Sequence, residues 1–227
     1  MEASIDTNVI IHLYKANLQS VLFNRFEKLK VCEFIRNHEM INHAGQDIIY
    51  LFDKDVEDGK IEIVTDQYLK SIRMYQVFLQ HVKDLRILFD VRDLGEVYAI
   101  AIAKTLGCTC LVTDDIKERG PHYTLMRIPD SEVIPFTFFE ILLLDFLEGK
   151  MPEKNLLEAF YLICTISGLD WNIQSVLKKF IKRFWKDPYS EKEKEWMRRF
   201  CADNGINAKA RIQILLYYID NQKQKKA

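Results

Sequence analysis

The sequence predicts an α/β domain with a mainly parallel sheet flanked by helices, followed by a small all-α domain. Three observations carry this reading. Short apolar runs alternate with longer stretches of helical spacing up to about residue 148, the arrangement of βαβ units. Gly149-Lys150-Met151-Pro152 interrupts the pattern, and beyond it only helical periodicity remains. The charge divides at the same place: residues 1–149 hold 16 Lys/Arg against 24 Asp/Glu, and residues 150–227 hold 16 against 9. The expected domains are therefore 1–148 and 149–227. The charge split fits either an acidic part and a basic part with separate tasks or two complementary surfaces that dock.

Ala3 to Ile5 is a short strand ending in Asp6, and Val9-Ile10-Ile11 with Leu13 opens a helix that Thr7 or Asn8 would cap. Gln19 to Lys30 has helical spacing at Val21, Leu22, Phe26 and Leu29, and Val31-Cys32 is a strand. Phe34-Ile35 and Glu39-Met40-Ile41 read as a helix. Asp53 to Lys60 is a charged turn, and its acids, with Asp47, are expected to be solvated loop charge. Ile61 to Val64 is the next strand, and residues 67–89 hold one or two helices. Gly95 to Leu106 is an alanine-rich helix able to approach a sheet closely, ended by Gly107. Asp93 reads as its N-cap. Cys108 to Val112 is a strand running into Thr113-Asp114-Asp115, and Asp130 to Pro135 contains a last short strand at Val133-Ile134. Phe136 to Glu148 is a linking helix. The later helices are Leu156–Ile166, Ile173–Trp185, Glu191–Ala202 and Ala208–Ile219, punctuated by Gly168, Pro188 and Gly205, with a frayed tail from Gln222.

Several classes are disfavoured. No run of eighteen apolar residues exists to span a membrane, and the N-terminus lacks the basic and apolar regions of a signal peptide. Five scattered cysteines do not make a disulfide framework, so a reducing cytoplasm is the expected setting. Cys108 and Cys110, two apart on a strand, read as packing. There is no G-x-x-x-x-G-K-[ST] phosphate loop and no Gly-x-Ser-x-Gly. The five histidines are scattered and read as surface or capping residues.

Asp6 and Asp114/Asp115 differ from the loop acids because each follows an apolar run. A carboxylate there is half-buried, where repulsion between neighbours is costly unless a cation is present. In open parallel sheets such strand ends are where functional groups gather.

The segments IDTNVIIHLYK, HEM around Glu39, DLGEVYAIAIAKTLG and LVTDD resemble a PIN domain over roughly the first 148 residues. The resemblance implies a nuclease in which carboxylates hold one or two Mg²⁺ or Mn²⁺ ions. Matched by motif, Asp6, Glu39, Glu96 and Asp115 form the acidic quartet. Asp114 is a candidate fifth ligand, and the order of the two adjacent aspartates stays open. Glu33 lies close enough to Glu39 to compete for its place. Asn8 and Thr113 would orient the carboxylates. The expected activity is a metal-dependent endoribonuclease leaving a 5′-phosphate and a 3′-hydroxyl. Many members of that family are toxins restrained by an antitoxin, and most are shorter than this chain. The alternatives are a PIN-like scaffold that binds RNA or protein without cleaving, and a structure-specific nuclease acting on DNA. The extra helices would select RNA, bind an inhibitory protein or make a homodimer. Lys178, Lys179, Lys182, Arg183 and Lys186, interleaved with Phe180, Phe184 and Trp185, are the candidate RNA contacts, with Arg198, Arg199, Lys209 and Arg211 extending them.

Overall fold

A computed structural model describes residues 1–89, 93–128, 131–186 and 191–224. The chain divides into two compact units, Met1–Phe138 and Phe139–Ala227.

In the first unit five strands form one all-parallel sheet: β1 (Glu2–Ile5), β2 (Lys28–Cys32), β3 (Ile61–Val64), β4 (Cys110–Val112) and β5 (Ile134–Phe136). Their order is β3-β2-β1-β4-β5. The chain winds outward from β1 to β3, then returns to the other side of β1 for β4 and β5. The winding reverses between β1 and β4, so the gap beyond their carboxyl ends is the topological switch point, where α/β sheets bind ligands. A parallel sheet covered on both faces needs strands apolar throughout, and Ala3, Ile5, Val31, Leu111 and Val112 are fully buried. Each buried Val, Leu or Ile contributes about 1.5–3 kcal/mol.

The α1 helix (Thr7–Lys15) starts directly after β1, and its cap is Asp6, not Thr7 or Asn8. The helix expected through Lys30 stops earlier: α2 (Ser20–Arg25) ends where Phe26 turns extended. Leu29 and Lys30 instead belong to β2, whose backbone pairs with β1 and β3 at once. That double ladder outweighs local helical spacing, and buried Lys30 is neutralised by Glu2 of β1. After β2, residues Ile35–Glu39 wind as a wider π turn before the short α3 (Met40–His43).

The expected charged turn at Asp53 is mostly helix. The α4 helix (Gln46–Glu57) buries Ile48, Ile49, Phe52 and Asp55, which recur at helical spacing, and the turn is confined to the residues around Gly59 at φ 71°. Asp55 is therefore not solvated. It accepts a 2.7 Å hydrogen bond from Tyr14 Oη and lies 2.8 Å from Lys60 Nζ.

The 67–89 stretch holds two helices, α5 (Asp66–Ser71) and α6 (Tyr75–Leu85). The α7 helix (Leu94–Leu106) packs on β1, β2, β4 and α6, and Ala99, Ala101 and Ala103 have no exposed surface. It ends at Gly107, whose φ of 67° suits glycine. A short α8 (Pro121–Leu125), not anticipated, begins with proline at its first turn, a position that needs no N–H donor. Asp130 lies outside the described residues.

The α9 helix (Phe138–Leu147) is buried along its whole length, and the compact division falls after its first residue, earlier than the expected one at Gly149. The remaining helices are α10 (Glu153–Ser167), α11 (Ile173–Ile181), α12 (Glu191–Asp203) and α13 (Ala208–Gln224). Gly168 closes α10 in the left-handed conformation, and Asn172 caps α11 by accepting from Gln174 N and Ser175 N. Pro188 and residues 225–227 lie outside the described residues. Among the described residues no helix is long and apolar enough to cross a membrane.

Candidate functional site

The register of the two central strands builds the site. Ile5 pairs with Val112, so the next residues, Asp6 and Thr113, leave adjacent strands side by side. Asp6 N donates to Val112 O at 2.9 Å, and Thr113 N donates to Phe136 O at 2.9 Å, extending the ladder one step past each strand. The Asp6 side chain is almost wholly buried. Its Oδ1 accepts from Thr7 N at 2.7 Å and its Oδ2 from Thr113 Oγ1 at 3.0 Å. The same threonine oxygen accepts from Asp115 N at 3.3 Å. Thr113 thus bonds to one carboxylate and to the backbone of another acidic residue.

Asp114 and Asp115 part company. Residues two apart in extended chain share a face and neighbours do not. Thr113 and Asp115 serve the cluster, while Asp114 faces away. Asp114 Oδ1 accepts from Phe138 N at 2.9 Å, and Oδ2 lies 2.7 Å from His12 Nδ1. With both oxygens engaged, Asp114 ties β4 to α1 and to the first residue of α9. It does not belong with the metal-ligand candidates. His12 is correspondingly a partner of Asp114 within the fold, and His122 is buried and not at the surface.

The α7 helix starts at the carboxyl edge of the sheet because a crossover helix runs back against the strands it joins. This delivers Glu96, in its first turn, to the switch point. Burial pushes the Glu96 carboxyl up to about 6, and the negative charges of Asp93, Asp115 and Glu39 add to the rise. Burial likewise raises Asp6 well above the usual carboxylate range, reinforced by Glu96 and Asp115 and opposed by the bonds from Thr113 and Thr7. Glu96 is thus the common neighbour: it acts on Asp6, and Asp115 and Glu39 act on it. Asp93 joins them: it precedes α7 but makes no capping hydrogen bond, so its expected cap role is not what its side chain does.

Glu39 and Glu33 are also separated. Glu33 Oε1 accepts from Asp66 N at 2.7 Å at the start of α5. Glu39 lies against α7, where a Cβ on Gly95 would stand 3.1 Å from its Cδ. Glycine at 95 lets the two acidic elements close together. Gly120 likewise leaves room for Asp115, since a Cβ there would fall 2.5 Å from Asp115 Oδ1 and 2.8 Å from its backbone oxygen. Asn8 is exposed and, among the described residues, makes no hydrogen bond to these carboxylates; the expected orienting role is not realised.

Among the described residues, Lys117 reaches the cluster. Lys117 Nζ lies 2.8 Å from Asp115 Oδ2 and 4.0 Å from Asp93 Oδ1, and the Lys117 backbone N–H donates to Asp115 Oδ1 at 3.2 Å. Among the described residues, no group of three or more His, Cys, Asp or Glu side chains is arranged to hold a metal ion as the side chains stand. Searches of protein-family models, curated proteins and solved structures found no match to this chain.

The expected RNA contacts in the C-terminal unit separate by burial. Lys178, Lys179, Lys182 and Lys186 are exposed. Arg183 is not available. It is 3% exposed, donates from Nε and Nη2 to Glu193 at 3.0 and 2.7 Å, and from Nη1 to Glu140 at 2.9 Å. Burial opposes its charge, and the two glutamates more than offset that. Helical spacing placed Arg183 with the lysines, but the wider winding of Lys182–Lys186 changes the face each side chain takes. Arg198 and Arg199 pair with Glu195 on their own helix, and Arg211 donates to Phe146 O. Phe180 and Phe184 are core, whereas Trp185 is 38% exposed. Cys108 precedes β4 and, like Cys110, is buried; burial pushes its thiol up to about 11, so it is inert packing.

Proposed function

We propose that the first unit is a divalent-metal-dependent nuclease of the PIN type acting on RNA. The observation that carries the reading is the burial of Asp6 and Glu96 at the switch point of the sheet, where Asp115 acts on both and Glu39 on Glu96. Buried like charges are costly, and a hard cation relieves the cost. The donor set consists of carboxylate oxygens, the chemistry that Mg²⁺ and Mn²⁺ take. Asp6, Glu96 and Asp115 would hold the ion, with Glu39 beside them. A divalent ion bound there would acidify a water and neutralise charge developing on a phosphodiester.

The chain's own groups have defined parts in this scheme. Thr113 holds Asp6 and the Asp115 backbone in place. Gly95 and Gly120 permit the close approach of Glu39 and Asp115. Exposed Lys178, Lys179, Lys182 and Lys186 suit the backbone of an RNA. A non-cleaving binding scaffold is the second reading, favoured by Lys117, whose ammonium supplies a counter-charge to Asp115 without any metal.

The test is cleavage of end-labelled single-stranded RNA and DNA with Mn²⁺ or Mg²⁺, with EDTA and Asp6→Asn as controls. RNA cleavage abolished by both controls is the expected result. Binding of RNA without cleavage under any of these conditions supports the scaffold instead.

A further inference from the structure

We propose that Lys117 is a tethered counter-cation of the carboxylate cluster, displaced when a divalent ion binds. The inference rests on the metal-site reading above. Three observations carry it. The Lys117 ammonium lies at bonding distance from Asp115 Oδ2 and 4.0 Å from Asp93 Oδ1, so its charge is directed into the cluster. Its backbone N–H is held by the other oxygen of Asp115, which anchors the residue whatever its side chain does. The side chain is 61% exposed, so its stem is free to swing the ammonium into water.

An ammonium and a hydrated divalent ion compete for Asp115 Oδ2, because two positive charges at one carboxylate oxygen repel. Binding the ion therefore works against the Lys117 pair, and the metal affinity carries that cost. A pair this exposed is weak, and losing it changes affinity by about fivefold, or about 1 kcal/mol. The device keeps the cluster partly neutral without metal and sets a threshold ion concentration for its occupation.

The test is calorimetric titration of Mn²⁺ into the full chain at low ionic strength, comparing wild type with Lys117→Met, Lys117→Arg and Lys15→Met. Lys15 is exposed and stands at the end of α1, so it controls for a general gain of negative charge. The expected result is binding about fivefold tighter for Lys117→Met, with Lys117→Arg near wild type and Lys15→Met changed by less than twofold. Equal affinity in wild type and Lys117→Met overturns the counter-cation role while leaving the metal site standing. Equal tightening by Lys15→Met reduces it to net charge and also overturns it. Absence of Mn²⁺ binding in every variant at millimolar ion removes the metal site itself, and the inference with it.

Discussion

Replacing Glu96 with glutamine should make the metal-free protein more stable at neutral pH and leave it unchanged in mild acid. The Glu96 carboxyl stands at about 6 in the fold against an ordinary 4.5. Between those values the folded chain binds more protons than the unfolded one, so stability falls as pH rises and levels once both states are ionised. The rise corresponds to about 2 kcal/mol at full ionisation. Asp6, also raised by burial and by Glu96, contributes in the same direction. Glu96→Gln keeps the shape and removes the charge. Urea unfolding followed by circular dichroism in EDTA, at pH 4.5, 5.5, 6.5 and 7.5, reads the difference between variant and wild type. That difference should grow by about 2 kcal/mol across the series, most of it between pH 5 and 6.5. Adding Mn²⁺ at pH 7.5 should stabilise wild type and narrow the gap, because ligand binding to the folded state adds stability. A pH-independent difference would refute the claim that burial and its acidic neighbours raise the Glu96 carboxyl.

The other predictions concern residues the fold reassigns. Arg183→Ala should cost about 3–5 kcal/mol in urea unfolding, because it removes a buried cation from the carboxylates of Glu140 and Glu193; a loss under 1 kcal/mol would return Arg183 to the surface. Asp115→Asn should abolish the Mn²⁺-induced rise in melting temperature, whereas Asp114→Asn should keep that rise while lowering the metal-free stability by about 1–3 kcal/mol through its bonds to His12 and Phe138 N. The opposite pattern would make Asp114 the ligand.

The alternation of short apolar runs with helical stretches was enough to anticipate an α/β chain, and β3 and α7 lie where their periodicity put them. Asp6 and the Asp114/Asp115 pair stood out because each follows an apolar run, and such ends converge in a parallel sheet, whereas Glu96 entered as a candidate through the PIN resemblance. Local pattern failed where a distant partner decided. Lys30 joined β2 because Glu2 lies across the ladder, and Asp55 is buried because Tyr14 meets it. No spacing rule separates Asp114 from Asp115 in the sequence. Only tertiary structure did, by offering His12 and the start of α9 to one and Glu96 to the other. Periodicity reports which residues turn toward a core; which charges face one another depends on strand order and register, and these are set by contacts more than a hundred residues apart in the chain.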